Sequence, residues 1–429
     1  MKAAAPRRCA EEWRLARRRR AATRKTQAGR LRSSRRDGGA PLRGCSTSGP
    51  ARTLQYKVLA MNYDIAVVGA GLAGLQCARL LASRGLRVVI VDRKPSVTGP
   101  VHTTGIFVRK TWEDFPLPHE QLGPPIRDVV LYSPAGRPFP LRAQRDEFRI
   151  GRMAWLQLWM LEQCTRAGVE WIPGAKVIAC DAQSVTIVRN GKRETLRARF
   201  IVGADGARSM VAEQLGLDRN RELLVGIEEV VPAISRERVL HCFVDPRLAP
   251  GYIGWVANDG EEAHIGVAGY RRGWDPSKAL HRFRDSLPWP VGRAIERRGG
   301  LIPVGGILRH IASPNGLLVG DAAGAVSPLT AGGLDGALRL SSFAAEVIGA
   351  YLDHGESRIL AQYTGDRFRA RFIARRWMRQ AMRTVTTPLV AEAALAMVRL
   401  PGLRAVAEHV FFARGSFPDM KLELAASRV

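Results

Sequence analysis

The feature that most constrains this 429-residue chain is a glycine-rich turn, Gly69-x-Gly71-x-x-Gly74, between two apolar segments. Residues 65–68 predict a short buried parallel strand, and residues 72–83 carry apolar side chains at helical spacing. In such a strand-to-helix turn the first glycine permits the tight turn, the second lets the backbone approach a pyrophosphate, and the third allows close packing of helix and strand. The turn therefore predicts a dinucleotide-binding βαβ unit.

An acidic residue follows at the position that such a unit requires. Residues 87–91 predict a second strand, and Asp92 follows it, 23 positions after Gly69. A carboxylate at this place holds the ribose hydroxyls of a bound dinucleotide. Because strand, helix, second strand and acid are all present, a ligand-free glycine turn is the less favoured interpretation.

Two later segments indicate which dinucleotide is bound. One predicted strand ends in residues 203–206, Gly-Ala-Asp-Gly, and another ends in Gly320-Asp321. Asp321 is placed to accept hydrogen bonds from a ribityl or phosphate-linked chain, and the glycine pair 332–333 would let backbone contact a flat ring. The N-terminus of the helix predicted from Leu334 would stabilise negative charge on a reduced flavin. Three such turns in this order favour FAD over NAD at the fingerprint.

With these motifs the chain resembles the FAD-dependent oxidoreductases of the para-hydroxybenzoate hydroxylase-like fold and, within them, the geranylgeranyl reductase family. The resemblance covers about residues 63–351, and residues 327–334 are similar to the reductase form of the third nucleotide motif. Arg152, which opens a predicted helix over 153–167, matches the arginine that this group sets against the FAD pyrophosphate. Motifs and resemblance together give these cofactor-binding candidates: Gly69, Gly71, Leu72, Ala73, Gly74, Asp92, Arg93, Arg152, Val177, Asp205, Gly206, Gly320, Asp321, Gly332, Gly333 and Leu334.

The resemblance also implies residues on the substrate side of the flavin. Residues 250–255 and 264–268 are similar to the aromatic hairpin that lines the substrate in these reductases, so Tyr252 and Trp255 become catalytic candidates. His102 is the candidate acid–base histidine beside the flavin.

Two positions depart from the family pattern. Residues 102–105 are His-Thr-Thr-Gly where these reductases commonly have a Cys-Gly turn, and Ala257-Asn258 stands in place of the proline usually found just after the tryptophan. Both departures fall on the substrate side, so they bear on the substrate and leave the cofactor assignment intact.

The predicted fold class is α/β: a Rossmann-like FAD-binding domain with an inserted antiparallel-sheet substrate domain and a C-terminal helical segment. Short strands bounded by turn residues, such as 129–132 and 263–269, predict the antiparallel sheet. The expected segments are 61–105, 149–220 and 301–352 for the FAD-binding domain, 106–148 and 221–300 for the substrate domain, 353–429 for the helical segment, and a basic disordered extension over 1–60.

The formal charge of +27 is concentrated in the extension. Residues 1–60 hold 17 Lys/Arg and 3 Asp/Glu, a net charge of +14. This Arg-, Ala- and Ser-rich composition cannot bury enough apolar surface to fold alone. A native start at Met61 is the favoured explanation, with an organellar transit peptide and a nucleic-acid-binding arm as alternatives. We expect no nucleic-acid partner.

The cysteine pattern predicts a reduced, cytoplasmic chain, because no Cys-x-x-Cys pair occurs. No metal site is expected, since the eight histidines never fall at metal-ligand spacing, and the sequence gives no oligomeric state. The cysteines are Cys9, Cys45, Cys77, Cys164, Cys180 and Cys242.

An amphipathic basic helix is predicted near the C-terminus. Its arginines are Arg367, Arg371, Arg375, Arg376, Arg379 and Arg383, and its apolar stripe is Ala370, Ile373, Ala374, Trp377, Met378 and Ala381. We expect the stripe to dock on the body of the protein. The alternative is peripheral contact with an anionic membrane, at the inner face of the cell membrane.

Together these observations predict an FAD-dependent reductase that passes hydride from NAD(P)H to a carbon–carbon double bond of an apolar, isoprenoid substrate. The flavin carries the chemistry, so no side-chain nucleophile is needed. Two alternatives stay open: an FAD-dependent monooxygenase, which shares the nucleotide motifs, and a non-catalytic prenyl-binding protein similar to Rab escort-type proteins.

Overall fold

The computed structural model describes residues 62–270, 272–412, 417–418 and 420–423. The predicted extension over 1–60, the proposed start at Met61 and two of the six cysteines lie outside these residues.

The described residues form seventeen strands and ten helices, with short 3-10 turns at His119–Gln121 and Gly320–Ala323. The strands are β1 (Asn62–Val68), β2 (Val88–Asp92), β3 (Ile106–Val108), β4 (Asp128–Tyr132), β5 (Pro138–Arg142), β6 (Phe148–Ile150), β7 (Glu170–Pro173), β8 (Lys176–Cys180), β9 (Ser184–Arg189), β10 (Lys192–Gly203), β11 (Leu223–Pro232), β12 (Val239–Phe243), β13 (Gly254–Asn258), β14 (Glu262–Gly269), β15 (Glu296–Pro303), β16 (Ala312–Ser313) and β17 (Gly316–Leu318). The helices are α1 (Leu72–Ala82), α2 (Arg109–Asp114), α3 (Met153–Arg166), α4 (Met210–Gln214), α5 (Pro276–Ser286), α6 (Leu334–His354), α7 (Ser357–Leu360), α8 (Asp366–Thr384), α9 (Pro388–Val398) and α10 (Pro401–Phe412).

The first sheet brings the three glycine turns to one edge. Its order is β16-β17-β10-β1-β2-β7, with β9 paired to β10 and β8 paired to β9, and β1 pairs in parallel with both β2 and β10. The Ala204 N–H donates to the Val68 carbonyl, and the Val319 N–H donates to the Gly203 carbonyl. Because parallel strands end at the same edge, the turns after β1, β10 and β17 lie side by side.

The core of this domain lies between the first sheet and its helices. The strands β1 and β2 are buried on both faces, as their continuous apolar sequences predict. Helix α1 packs against the longer helix α6 and also against α3. This packing fixes the N-termini of α1 and α6 relative to the glycine turns.

The second sheet has the order β15-β11-β14-β13-β12-β4-β5 and corresponds to the predicted substrate domain. The sheet is antiparallel, as expected, at every pairing but one, since β4 and β12 are parallel. The β4–β5 hairpin comes from a separate insertion, so no tight turn forces β4 and β12 to run in opposite directions. Strand β15 continues to Pro303, slightly beyond the expected segment boundary at residue 300.

The C-terminal helices contact both domains. Phe368 and Phe372 of α8 belong to the core of the first domain together with Phe417. Leu395 of α9 and Phe412 of α10 pack instead against the apolar face of β4, β5 and β6. The segment after residue 353 therefore joins the two domains along one side.

The orientation of α8 corrects one expectation. The predicted docking stripe faces outward: Trp377 is 73% exposed and Ile373 is 52% exposed. The inward face instead carries Phe368, Phe372 and Arg379, which is 1% exposed. Aromatic residues outside the alanine-rich stripe supply more buried area, so they determine which face packs.

Among the residues that the structure describes, no helix is long and apolar enough to cross a bilayer. The four cysteines in this part of the chain, Cys77, Cys164, Cys180 and Cys242, are buried and free.

Candidate active site

A cavity of about 760 Å³ lies where the glycine turns face the second sheet. One end is formed by the turns at Gly71, Gly206 and Gly320. The other end is formed by apolar side chains of the second sheet and of helices α8 to α10. This volume falls within the range of about 300–1,000 Å³ typical of small-molecule sites.

The three fingerprint glycines have two different roles. A Cβ atom on Gly69 would lie 2.2 Å from the Ala204 carbonyl oxygen, and one on Gly74 would lie 2.0 Å from the Gly69 carbonyl oxygen. Both positions therefore require glycine for packing. Gly71 has no atom within 4 Å of its Cβ position and lines the cavity. Its open side is where backbone can approach a ligand.

The N-terminus of α1 faces the same space. Gly71 is its N-cap residue and provides no side-chain cap, and the first turn contains no acidic residue. The first N–H groups of the helix thus remain available, and the helix dipole favours an anion there. Leu72 and Ala73 line the cavity beside them.

Two predicted carboxylates brace turns and do not line the cavity. Asp92 accepts hydrogen bonds from the backbone N–H groups of Ala70 and Lys94, both at 2.7 Å. Asp205 accepts from the Ser209 hydroxyl at 2.6 Å and from the Met210 N–H at 2.7 Å. Burial raises the pKa of Asp205.

Asp321 is different, because its carboxylate faces the cavity. Burial raises the pKa of Asp321 to about 6. Its side chain has no hydrogen-bond partner among the described residues, while its backbone carbonyl accepts from Asn220 Nδ2 at 2.8 Å. A buried carboxylate without donors favours a ligand that supplies hydroxyl groups.

The loop 327–334 forms the floor beside Asp321. Ala331 has φ of +53°, a conformation that costs a non-glycine residue free energy. The loop is closed by hydrogen bonds from the Ser327 N–H to the Gly332 carbonyl and from the Ala331 N–H to the Ser327 carbonyl, both at 3.0 Å. Gly332, Gly333 and Leu334 line the cavity, and Gly333 caps α6 without a side-chain hydrogen bond.

Three predicted cofactor residues lie away from the cavity wall. Arg152 forms ion pairs with Asp259 at 2.9 Å, Glu261 at 2.8 Å and Glu262 at 3.2 Å, which tie α3 to the β13–β14 hairpin. Arg93 is exposed, and Val177 packs against the core of the first domain. Lys94, which sequence reasoning missed, lines the cavity instead. The only available signal was a basic residue two positions after Asp92.

The three predicted catalytic residues all line the cavity on the substrate side. His102 Nδ1 lies 2.6 Å from the Gly299 carbonyl oxygen, which leaves Nε2 as the second polar atom of the ring. Tyr252 is buried, and its ring lies 5.3 Å from the Arg379 guanidinium carbon. The Trp255 ring lies over Gly266, where a Cβ atom would come within 2.2 Å of it.

A buried charged cluster behind this wall was not predicted from the sequence. Glu228 accepts a hydrogen bond from Thr104 Oγ1 at 2.5 Å, and its carboxylate lies 3.5 Å from both His264 Nδ1 and Arg298 Nη1. Glu262 lies 3.8 Å from His264 Nε2. Thr104, Glu228 and Arg298 line the cavity. We call Thr104, Glu228, Glu262, His264 and Arg298 the polar cluster.

The charges in the polar cluster stabilise one another. Burial alone would raise the pKa of Glu228, but hydrogen bonding and charge from His264, with Arg298 and Thr104, hold this pKa below its usual value. Burial alone would lower the pKa of His264, but the nearby carboxylates of Glu228 and Glu262 raise it overall. The pairing therefore favours the ionised form of Glu228 and the protonated form of His264.

This site has the features that a flavin dinucleotide requires. Gly71 and the N-terminus of α1 fit the pyrophosphate, the unpartnered Asp321 carboxylate fits the ribityl hydroxyls, and the uncapped N-terminus of α6 fits the ring end. Among the described residues no group of three or more His, Cys, Asp or Glu side chains is arranged to hold a metal ion.

Comparisons with known proteins agree with this arrangement. Residues 63–232 match the family described as pyridine nucleotide-disulphide oxidoreductase. The digeranylgeranylglycerophospholipid reductase 1 of Methanopyrus kandleri is 30% identical over 305 residues, which cover 67% of this chain and 80% of that protein.

Solved structures share the fold. A geranylgeranyl bacteriochlorophyll reductase-like protein from Thermoplasma acidophilum has a TM-score of 0.71 at 18% identity and covers 82% of this chain and 97% of its own. The flavin-dependent monooxygenase PieE, solved with FAD and substrate, has a TM-score of 0.63 at 19% identity and covers 86% of this chain and 78% of its own.

The fold and these matches define an FAD-dependent oxidoreductase. Within that class, the chain belongs to the geranylgeranyl reductase family, as the motifs predict. The predicted Rossmann-like FAD-binding domain is likewise confirmed.

Proposed function

We propose that this protein takes hydride from NAD(P)H and passes it, through FAD, to a carbon–carbon double bond of an apolar, isoprenoid substrate. The observation that carries the proposal is the cavity, which runs without interruption from the nucleotide-binding turns to an apolar chamber. The names of the relatives, digeranylgeranylglycerophospholipid reductase and geranylgeranyl diphosphate reductase, support the substrate class.

The nucleotide side of the cavity positions the cofactor. FAD, when bound, supplies two-electron hydride transfer. Gly71 and the N-terminus of α1 would hold the pyrophosphate, and Asp321 would accept hydrogen bonds from the ribityl chain. The N-terminus of α6 would stabilise negative charge at the flavin ring, and the closed loop 327–334 keeps that helix end in place.

The substrate side orients the chain to be reduced and excludes water. Trp255 and Tyr252 contribute aromatic surface from the second sheet, and Phe411 and Phe412 of α10 add further apolar lining. Such a chamber favours an isoprenoid chain over a polar substrate, because apolar surface removed from water contributes about 25 cal/mol per Å².

Reduction of a double bond also requires a proton. His102 and Thr104 bring protic groups to this wall of the cavity. With Nδ1 held by the Gly299 carbonyl, a protonated His102 presents Nε2–H as a donor. The Thr104 hydroxyl donates its one proton to Glu228, so the polar cluster fixes its orientation and it presents only oxygen lone pairs to the cavity. We assign proton donation to His102 and positioning to the polar cluster.

A second candidate function is an FAD-dependent monooxygenase acting on an apolar or aromatic substrate. The observation in its favour is the His-Thr-Thr-Gly turn at residues 102–105, which departs from the Cys-Gly turn of the reductases on the substrate side of the cavity. A non-catalytic prenyl-binding role is the third, and it predicts a purified protein without flavin.

The distinguishing experiment is anaerobic reduction and reoxidation of the purified flavoprotein. NADH or NADPH should bleach the flavin absorbance without oxygen, and a polyprenyl lipid should restore it. Quinones and aromatic compounds serve as comparison oxidants. Bleaching that only oxygen reverses would favour the monooxygenase, and absence of bound flavin would favour the prenyl-binding role.

A further inference from the structure

The exposed apolar side chains of this protein are concentrated in its C-terminal helices. Among the described residues, eight of the ten large apolar side chains that are exposed lie between positions 373 and 406. We call them the apolar face: Ile373, Trp377, Leu389, Val390, Met397, Leu400, Leu403 and Val406. Trp377 is 73% exposed and Leu389 is 80% exposed, so the face is not covered by the described residues. Several large apolar side chains exposed on three consecutive helices are typical of an interaction site.

The same helices are strongly basic. Residues 366–412 contain nine arginines, no lysine and three acidic residues. Arg376 and Arg399 are exposed and form no salt bridge with any described residue. Exposed apolar residues together with exposed guanidinium groups fit a partner surface that is both apolar and negatively charged.

The apolar face is continuous with the cavity. Leu403 and Val406 of α10 are 39% and 44% exposed, and both also line the cavity. An apolar ligand leaving the chamber between these side chains would emerge at the apolar face.

We propose that the apolar face rests on the surface of an anionic lipid bilayer, and that apolar substrates pass between bilayer and cavity beside Leu403 and Val406. This interaction surface goes beyond the proposed reaction and does not depend on which bond is reduced. A two-fold contact between two copies of this chain is disfavoured, since it would place one arginine-rich surface against an identical one. A bilayer of anionic phospholipid instead supplies both the apolar interior and the counter-charge.

The test is flotation of the full chain with vesicles of phosphatidylcholine alone or with phosphatidylglycerol. The parent should bind the anionic vesicles more tightly, and salt should weaken this preference. The double variant Trp377→Ser with Leu389→Ser should bind at least about tenfold more weakly, because two large side chains no longer insert. The double variant Arg376→Gln with Arg399→Gln should lose roughly tenfold on anionic vesicles only.

Matched controls separate the apolar face from the remaining basic surface. Trp155→Ser removes an exposed tryptophan on α3, and Lys192→Gln with Arg193→Gln removes two exposed charges from the β9–β10 hairpin. Residues 1–60 carry the same charge in every variant, so any contribution they make to vesicle binding is the same in the variants and in the controls. Equal losses in variants and controls, no binding by the parent, or a dimer in vesicle-free solution that Trp377→Ser with Leu389→Ser dissociates would each overturn the proposal.

Discussion

The two ends of the cavity are built in different ways. At the nucleotide end, the groups that face the ligand are mostly backbone atoms in short turns, at Gly71, Gly320 and Gly333. At the substrate end they are side chains, and the charged ones come from strands far apart in sequence, such as Glu228 and Arg298. A backbone site depends on the absence of side chains at a few positions, whereas a side-chain site depends on every member of a network being present.

The difference predicts opposite responses to substitution. At the nucleotide end, adding side-chain atoms should weaken folding or FAD binding, whereas removing a carboxylate should have only a mild effect on stability. At the substrate end, removing one charged partner should be the most damaging change, because the remaining charges stay buried.

The largest expected effect is at Glu228. Glu228→Gln removes the buried carboxylate shared by His264 and Arg298 and leaves them only the more exposed Glu262 and Glu296, so we expect the free energy of unfolding to fall by about 3–5 kcal/mol. Urea unfolding followed by circular dichroism measures this change. The exposed Glu120→Gln is the control and should change stability by less than about 0.5 kcal/mol. A similar small change in both would show that the polar cluster is not an interdependent network.

The next effect distinguishes two fingerprint glycines. Gly74→Ala places Cβ 2.0 Å from the Gly69 carbonyl oxygen, so the flavin-free protein should lose up to about 3 kcal/mol of stability. Gly71→Ala meets no atom within 4 Å, so the same measurement should change by less than about 0.5 kcal/mol. FAD titration should show weaker binding for Gly71→Ala nonetheless. Unchanged FAD affinity would contradict the placement of the pyrophosphate.

A smaller effect is the contribution of Asp321 to the pH dependence of the free energy of unfolding. Burial raises its pKa in the folded protein to about 6, above its value of about 3.8 in an unfolded chain. The folded state therefore holds this proton more tightly, and the stability of the flavin-free protein should fall by about 2 kcal/mol as pH rises from about 4 to 6. Asp321→Asn should remove this decline. Parallel pH profiles of the two proteins in thermal unfolding would contradict the expectation.

The smallest effect concerns the strained loop. Ala331 has φ of +53°, which glycine adopts without steric cost. Ala331→Gly should therefore change the melting temperature only slightly, in the stabilising direction, with a gain of up to about 1 kcal/mol. Ala325→Gly, at a buried position without this strain, should destabilise instead. Destabilisation by both substitutions would show that Ala331 contributes more through packing than it loses through strain.

The elements of the nucleotide end were predictable from the sequence, because their signals are local. The first strand, predicted over 65–68, extends over Asn62–Val68, and the helix predicted from residue 72 extends over Leu72–Ala82. Glycine spacing and apolar periodicity encode such elements locally. The loop 327–334 is likewise encoded locally, by its glycine pair.

The polar cluster had no local signal. Glu228 lies opposite Arg298 in the β11–β15 pairing, and His264 lies on β14, the other neighbour of β11. Only strand register brings these side chains together, and register between distant strands cannot be read from spacing. For the same reason the contacts of Arg152 with the β13–β14 hairpin were not predicted.

The orientation of α8 was also not determined by its sequence pattern. The helix offers an alanine- and tryptophan-containing stripe and a second face with Phe368 and Phe372, and either satisfies helical periodicity. The structure buries the phenylalanines against Phe417, which lies far along the chain. Tertiary partners therefore decided between two faces that the sequence alone left equivalent.

The most direct test of the account is the mass of the product formed without oxygen. The holoenzyme, NAD(P)H and a geranylgeranyl-type substrate are incubated anaerobically, and the lipid product is analysed by mass spectrometry. The account predicts a product that gains two hydrogen atoms for each NAD(P)H consumed and gains no oxygen. A product that forms only when oxygen is admitted, and that contains an added oxygen atom, would contradict it.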